Sequence, residues 1–106
     1  LRAAKESGLM AVGVDVDQYI TFPEAGSAII TSVMKNVDVA AGLAVKAFAD
    51  GTLKPGIRHF DLTNNAVGLA PFHEWADKIP STCIDKIEAA RSRVMNRPEV
   101  TMAAPK

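Results

Sequence analysis

Apolar positions along this chain change period several times, and each change predicts an element. Residues 9–15, LMAVGVD, form a nearly continuous apolar run of strand length, the pattern of a strand buried on both faces of a parallel sheet. Asp15 closes that run at the strand's carboxyl end, the edge where open α/β sheets take their ligands. Before it, LRAAKESG reads as the end of a helix with Gly8 as its C-cap, and a helix end so near residue 1 implies that structure precedes it.

Pro23 and Gly26 interrupt the next segment, after which Ile29, Ile30, Thr31 and Val33 supply the β-branched cluster of a second strand, SAIITSVM. From Asn36 the spacing turns helical. Val37, Ala40, Ala44 and Phe48 form a stripe, widened by Ala41 and Val45, until Gly51 stops the helix. GIRHFDL and AVGLAP read as two short strands joined by TNN, a hairpin or meander. A last helix follows Pro80, with Ser81 or Thr82 as N-cap and Asp85 in its first turn; it turns Ile84, Ile87, Val94 and Met95 inward and ends at Pro98. The tail EVTMAAPK has no apolar period and reads as a loose or edge-docked end. Strand, strand, helix, hairpin, helix is an α/β set, but its central strands have few partners, so the sheet is expected to be part of something larger.

A length of 106 residues fits one domain with a modest core, and 48% hydrophobic with 23% charged residues is ordinary for a folded protein. Twelve basic residues balance twelve acidic ones, so no net field draws the chain to nucleic acid or an anionic membrane surface. Cys83, the single cysteine, rules out an intrachain disulfide, and no Cys/His spacing reads as a zinc site. No apolar run approaches the roughly 18 residues that span a bilayer.

Candidate chemistry is sparse. Asp15 and Asp17 lie two residues apart, so a persisting strand puts both carboxylates on one side. A carboxylate there can accept paired hydrogen bonds from a sugar diol; the competing reading has both capping the following turn. A metal is the weaker alternative, because hard cations want six or more oxygens and no further acidic cluster lies near. Lys35 sits at a strand-to-helix junction, where a cation can reach into a cleft or simply pack its stem and extend its ammonium to water. Asn36 and Asp38 read as helix cap and first-turn acid. His59 and His73 have no nucleophile elbow beside them, and Cys83 reads as a packed small residue. Gly68, Pro71, Phe72 and Trp75 read as a turn stapled to the core by aromatics. No phosphate-loop, dinucleotide or zinc-protease motif occurs, and no cofactor is expected.

With these positions in place, VGVDVDQ, IITSVMKNVDVAAGLAVKAFADG and VGLAPFHEWADKIP resemble, in order and spacing and over nearly the whole chain, the C-terminal third of the basic membrane lipoprotein family, the PnrA-like substrate-binding proteins of ABC importers. The resemblance implies a partial type I periplasmic-binding fold: Rossmann-like parallel sheet segments with flanking helices, from a protein of two lobes joined by hinge crossings. It places residues of about 1–27 and 57–106 in one lobe and about 28–56 in the other. It matches Asp15 to the family's ribose-binding aspartate and Lys35 to its ligand-contacting lysine, with VDQY starting a hinge passage. A non-catalytic, extracytoplasmic protein that delivers a nucleoside or related ribosyl compound to an ABC permease is the implied function; a ligand-sensing or regulatory module on the same fold is the alternative. Family members are much longer and carry an acylated N-terminal cysteine, for which Cys83 is no substitute. The chain by itself is therefore expected to be a fragment that binds poorly and self-associates through unpaired strand edges.

Overall fold

The computed structural model describes residues 1–96, beginning with a short helix, α1 (Arg2–Glu6). It closes at Gly8 as expected: Gly8 adopts φ +66°, and the N–H groups of Gly8 and Leu9 donate to the carbonyls of Lys5 and Ala4 at 3.1 and 2.8 Å. The first strand, β1 (Ala11–Asp15), occupies the end of the first apolar run. One helical turn, α2 (Gln18–Thr21), and a 3-10 turn over Pro23–Ala28 then lead to β2 (Ile29–Lys35). The punctuation at Pro23 and Gly26 marks a break without revealing either turn.

β1 and β2 pair in parallel, with Gly13 beside Ser32, Val14 beside Val33 and Asp15 beside Met34. The change of lobe expected near residue 28 thus falls between two strands that are hydrogen-bonded neighbours in one sheet. After β2 the chain enters α3 (Val37–Ala49), which ends where the glycine signal put it. Gly51 has φ +70°, and the N–H of Thr52 returns to the Ala47 carbonyl at 2.9 Å.

The expected hairpin does not form. Residues 56–61 are irregular, and AVGLAP supplies a short strand, β3 (Val67–Leu69), that pairs antiparallel with β2, giving the order β1-β2-β3. Local side-chain bonds explain the difference. Asp61 accepts from the N–H of Thr63 at 2.8 Å while Asn64 accepts from the N–H of Asp61 at 3.0 Å, a reciprocal cap around the 3-10 turn Leu62–Asn64. Such bonds satisfy the backbone that a strand would have offered to a ladder.

The closest packing surrounds the first half of β2. Ile29, Thr31 and Ser32 are buried there with Ala25, Ala28, Ala66 and Ala70, and the Thr31 hydroxyl donates to the Ala70 carbonyl at 2.7 Å. β1 is not buried on both faces as its composition implied, for only Gly13 is buried. Val14, Val33 and Leu69 instead make an apolar row across all three strands, exposed by 58%, 48% and 44%. The last helix, α4 (Ser81–Asn96), runs past the β2–β3 part of this face at a distance. Ile84, Ile87 and Val94 line an apolar cavity of about 600 Å³ between helix and sheet.

Further expectations change in detail. Ser81 is the first residue of α4, and the carbonyl of Pro80 accepts from the N–H groups of Cys83 and Ile84, so neither Ser81 nor Thr82 precedes the helix as a cap. Cys83 is exposed rather than packed. On α3 the buried residue is Ala47, while Val37 and Phe48 of the expected inward stripe stay exposed. The helix stop at Pro98 and the reading of the tail fall outside the described residues.

Candidate functional site

A hollow of about 390 Å³ opens at the carboxyl ends of β1 and β2, roofed by the first turn of α3 and by Phe60. Asp15 and Lys35 both line it, with Asn36, Val37 and Val67. Simple alternation does not bring them together. Asp15 lies beside Met34 in the ladder, so an extended residue 15 shares a face with Met34, and Lys35 points to the other. At Asp15 the strand ends and the backbone turns left-handed, with φ +74°. Aspartate is among the few side chains that tolerate this region.

Hydrogen bonds on both sides hold the turn. The N–H of Val14 donates to Oε1 of Gln18 at 2.9 Å, and the N–H of Val16 donates back to the Val14 carbonyl at 3.0 Å. Gln18 is itself anchored, its N–H donating to the fully buried Ser32 hydroxyl at 3.1 Å. Asp17 does what the capping reading asked of it: Oδ1 accepts from the N–H of Tyr19 at 3.2 Å as the N-cap of α2. Its other oxygen meets Nε2 of His73 at 2.7 Å.

Lys35 is held from the β3 side. It pairs with Val67, and the next residue, Asn36, donates its N–H to the Ala66 carbonyl at 2.7 Å and its side-chain amide to the Asn65 carbonyl at 2.8 Å. Asn36 occupies the N-cap position of α3, but its amide bonds to the Asp61–Ala66 loop and makes no cap bond. That loop's reach across the sheet end could not be seen locally, because 29 residues separate the partners.

Asp15 and Lys35 are both exposed, and the ion pairs among the described residues, Arg2 with Glu24 and Asp17 with His73, use neither. Asp15, a hydrogen-bond acceptor, and Lys35, a donor, thus border a hollow whose lining is almost wholly apolar. His59 is an exposed loop residue and His73 is committed to Asp17, so neither histidine enters the hollow. Trp75 serves as a staple, donating from Nε1 to the Ser27 carbonyl at 3.2 Å. Among the described residues no three His, Cys, Asp or Glu side chains converge to hold a metal ion.

Comparison with known proteins gives this geometry relatives. The family model for PnrA-like ABC transporter substrate-binding proteins matches residues 1–100. Transcriptional activator protein med of Bacillus subtilis (strain 168) is 30% identical over 79 residues, covering 74% of this chain and 24% of that protein. The crystal structure of a transcriptional activator of the comK gene from Bacillus halodurans superposes with a TM-score of 0.74 at 30% identity, over 88% of this chain and 31% of that one. The chain spans less than a third of the length of either relative.

Proposed function

Because the chain belongs to the family of PnrA-like ABC transporter substrate-binding proteins, we propose that it forms part of a solute-binding cleft in which Asp15 and Lys35 hold a nucleoside by its sugar. The observation that supports this reading is that Asp15 and Lys35, one acceptor and one donor, both line a single hollow at a strand-end edge. The Asp15 carboxylate accepts from ribose hydroxyls and the Lys35 ammonium donates to them, while Val37, Phe60 and Val67 exclude water from the apolar side. Nothing in this arrangement asks for bond-making, so the role is capture and release. In this reading the strands beside the hollow supply one wall of the cleft, and a second wall comes from the remainder of a longer protein.

In this reading the complete protein works outside the cytoplasm and delivers its ligand to an ABC permease. A second reading keeps the ligand site and changes the consequence of filling it: a sensor whose bound state alters gene expression. The description of both relatives above as transcriptional activators favours it.

Calorimetry of the complete protein with adenosine, guanosine and uridine tests the site. Replacing Asp15→Asn or Lys35→Met removes a charged hydrogen-bond partner, worth about 1.5–3 kcal/mol, so affinity should fall at least tenfold. Unchanged affinity in both variants rejects the assignment. Nucleoside uptake by cells lacking the protein separates the readings, since only the importer role predicts a transport defect restored by the wild type and not by Asp15→Asn.

A further inference from the structure

Resting on the sugar-binding role given to Asp15 and Lys35 above, we propose that the ligand is bipartite. It is a ribosyl compound whose sugar lies in the strand-end hollow and whose other part, an alkyl chain or similarly apolar group, enters the cavity under α4. The two spaces adjoin. Val33 and Val67 line the hollow and line the cavity as well.

Strand register accounts for the continuity. Side chains alternate along β2, so Val33 and Lys35 share a face. Across the ladder Lys35 lies opposite Val67 and Val33 opposite Leu69, which puts Val67 and Leu69 on that face too. Leu69 already belongs to the cavity. Two residues of strand span about 7 Å, so a short chain attached to a sugar beside Lys35 reaches Val33 and Leu69.

On the far side the cavity is closed by α4. No residue of that helix is buried, so filling the cavity removes Ile84, Ile87 and Val94 from water. Its volume of about 600 Å³ is that of a small-molecule site. The lining also decides the class of group it takes. Glu88 and Arg91, both exposed on α4, are its charged members among the described residues, and the rest include no hydroxyl, amide or imidazole side chain. The polar edges of a purine or pyrimidine would leave water there without a neutral side-chain partner, which disfavours them. A hydrocarbon gains from the same transfer.

The experiment uses the complete protein and calorimetry with methyl β-D-ribofuranoside, hexyl β-D-ribofuranoside and adenosine. The added methylenes should tighten binding about a hundredfold over the methyl riboside, and the hexyl riboside should also bind more tightly than adenosine. Ala90→Phe puts a ring into the cavity and Ile87→Asn puts an amide on its wall. Each should lower the ratio of hexyl to methyl affinity about tenfold, in protein that keeps the circular dichroism of the folded state. A substitution that merely loosens the fold weakens both ribosides and keeps their ratio, and a ratio unchanged in both variants overturns the proposal. Hexyl and methyl ribosides bound equally by the wild type overturn it and leave the sugar site standing; that is the result expected if a segment of the longer protein or a second copy already fills the cavity. Adenosine bound more tightly than the hexyl riboside would reveal a group that reads the base, and this too overturns it. Asp15→Asn should weaken both ribosides alike. Hexyl riboside bound with no dependence on Asp15, or no riboside bound at all, removes the sugar reading and the proposal with it.

Discussion

Gly13 on β1 and Ser32 on β2 are ladder neighbours, and the Ser32 hydroxyl fills the space into which a side chain at position 13 would project. A Cβ built on Gly13 would also lie 2.8 Å from Oε1 of Gln18. The same hydroxyl and amide hold α2 under the Asp15 turn. Gly13→Ala should therefore cost about 1–3 kcal/mol, the usual range for overpacking a filled site. Urea unfolding reads the loss, and a variant as stable as the wild type would show that Ser32 and Gln18 yield easily.

Asn36→Ala should release the Asp61–Ala66 loop from the end of β2. Its amide makes one exposed bond, to the Asn65 carbonyl, so the loss should be about 1 kcal/mol or less, with faster hydrogen exchange at Ala66 and Val67. Exchange that quickens only in α3 would mean that Asn36 acts as a helix cap after all.

Acid should loosen the same loop. The Thr63 hydroxyl and N–H, both donating to Asp61, hold its carboxyl below the ordinary aspartate range. A carboxyl depressed in the folded state stabilises it above the unfolded value, and that contribution disappears as pH falls through the folded one. NMR titration of Asp61 should show the depressed midpoint, and Thr63→Val should move it upward. Identical midpoints in the two proteins would refute the assignment.

The chain of 106 residues, expressed alone, should self-associate. Among the described residues Val14, Val33 and Leu69 form a half-exposed apolar row, Phe48 is 75% exposed on α3, and β1 lies at the edge of the sheet. Light scattering should report dimers or larger species, and a monodisperse monomer at micromolar concentration would show that these surfaces tolerate water.

Apolar runs with clear ends are legible in the sequence: β1, β2, α3 and α4 lie where the pattern puts them, and the glycines at 8 and 51 close α1 and α3. The misreadings share a physical cause. GIRHFDL has strand-like alternation, but the reciprocal caps between Asp61 and Asn64 draw it into a turn, and the D-x-x-N spacing is the local signal for that turn. Asp15 and Lys35 stand out as a strand-end acid and a junction cation; the hollow they line also takes Phe60 and Val67 from distant sequence, which no local pattern marks. The clasp of Asp17 by His73 joins residues too far apart for any local spacing to mark.

The left-handed backbone at Asp15 also limits what mutation can do there. Glycine takes a positive φ without steric cost, and asparagine and aspartate take it more readily than the other side chains, most of which would strain the turn further. Both tolerated replacements lie a single nucleotide change from an aspartate codon, and both discard the charge. On the ligand role proposed for Asp15, position 15 can lose its charge without losing its fold, so a lineage could retire the site in one step and keep the scaffold for another use.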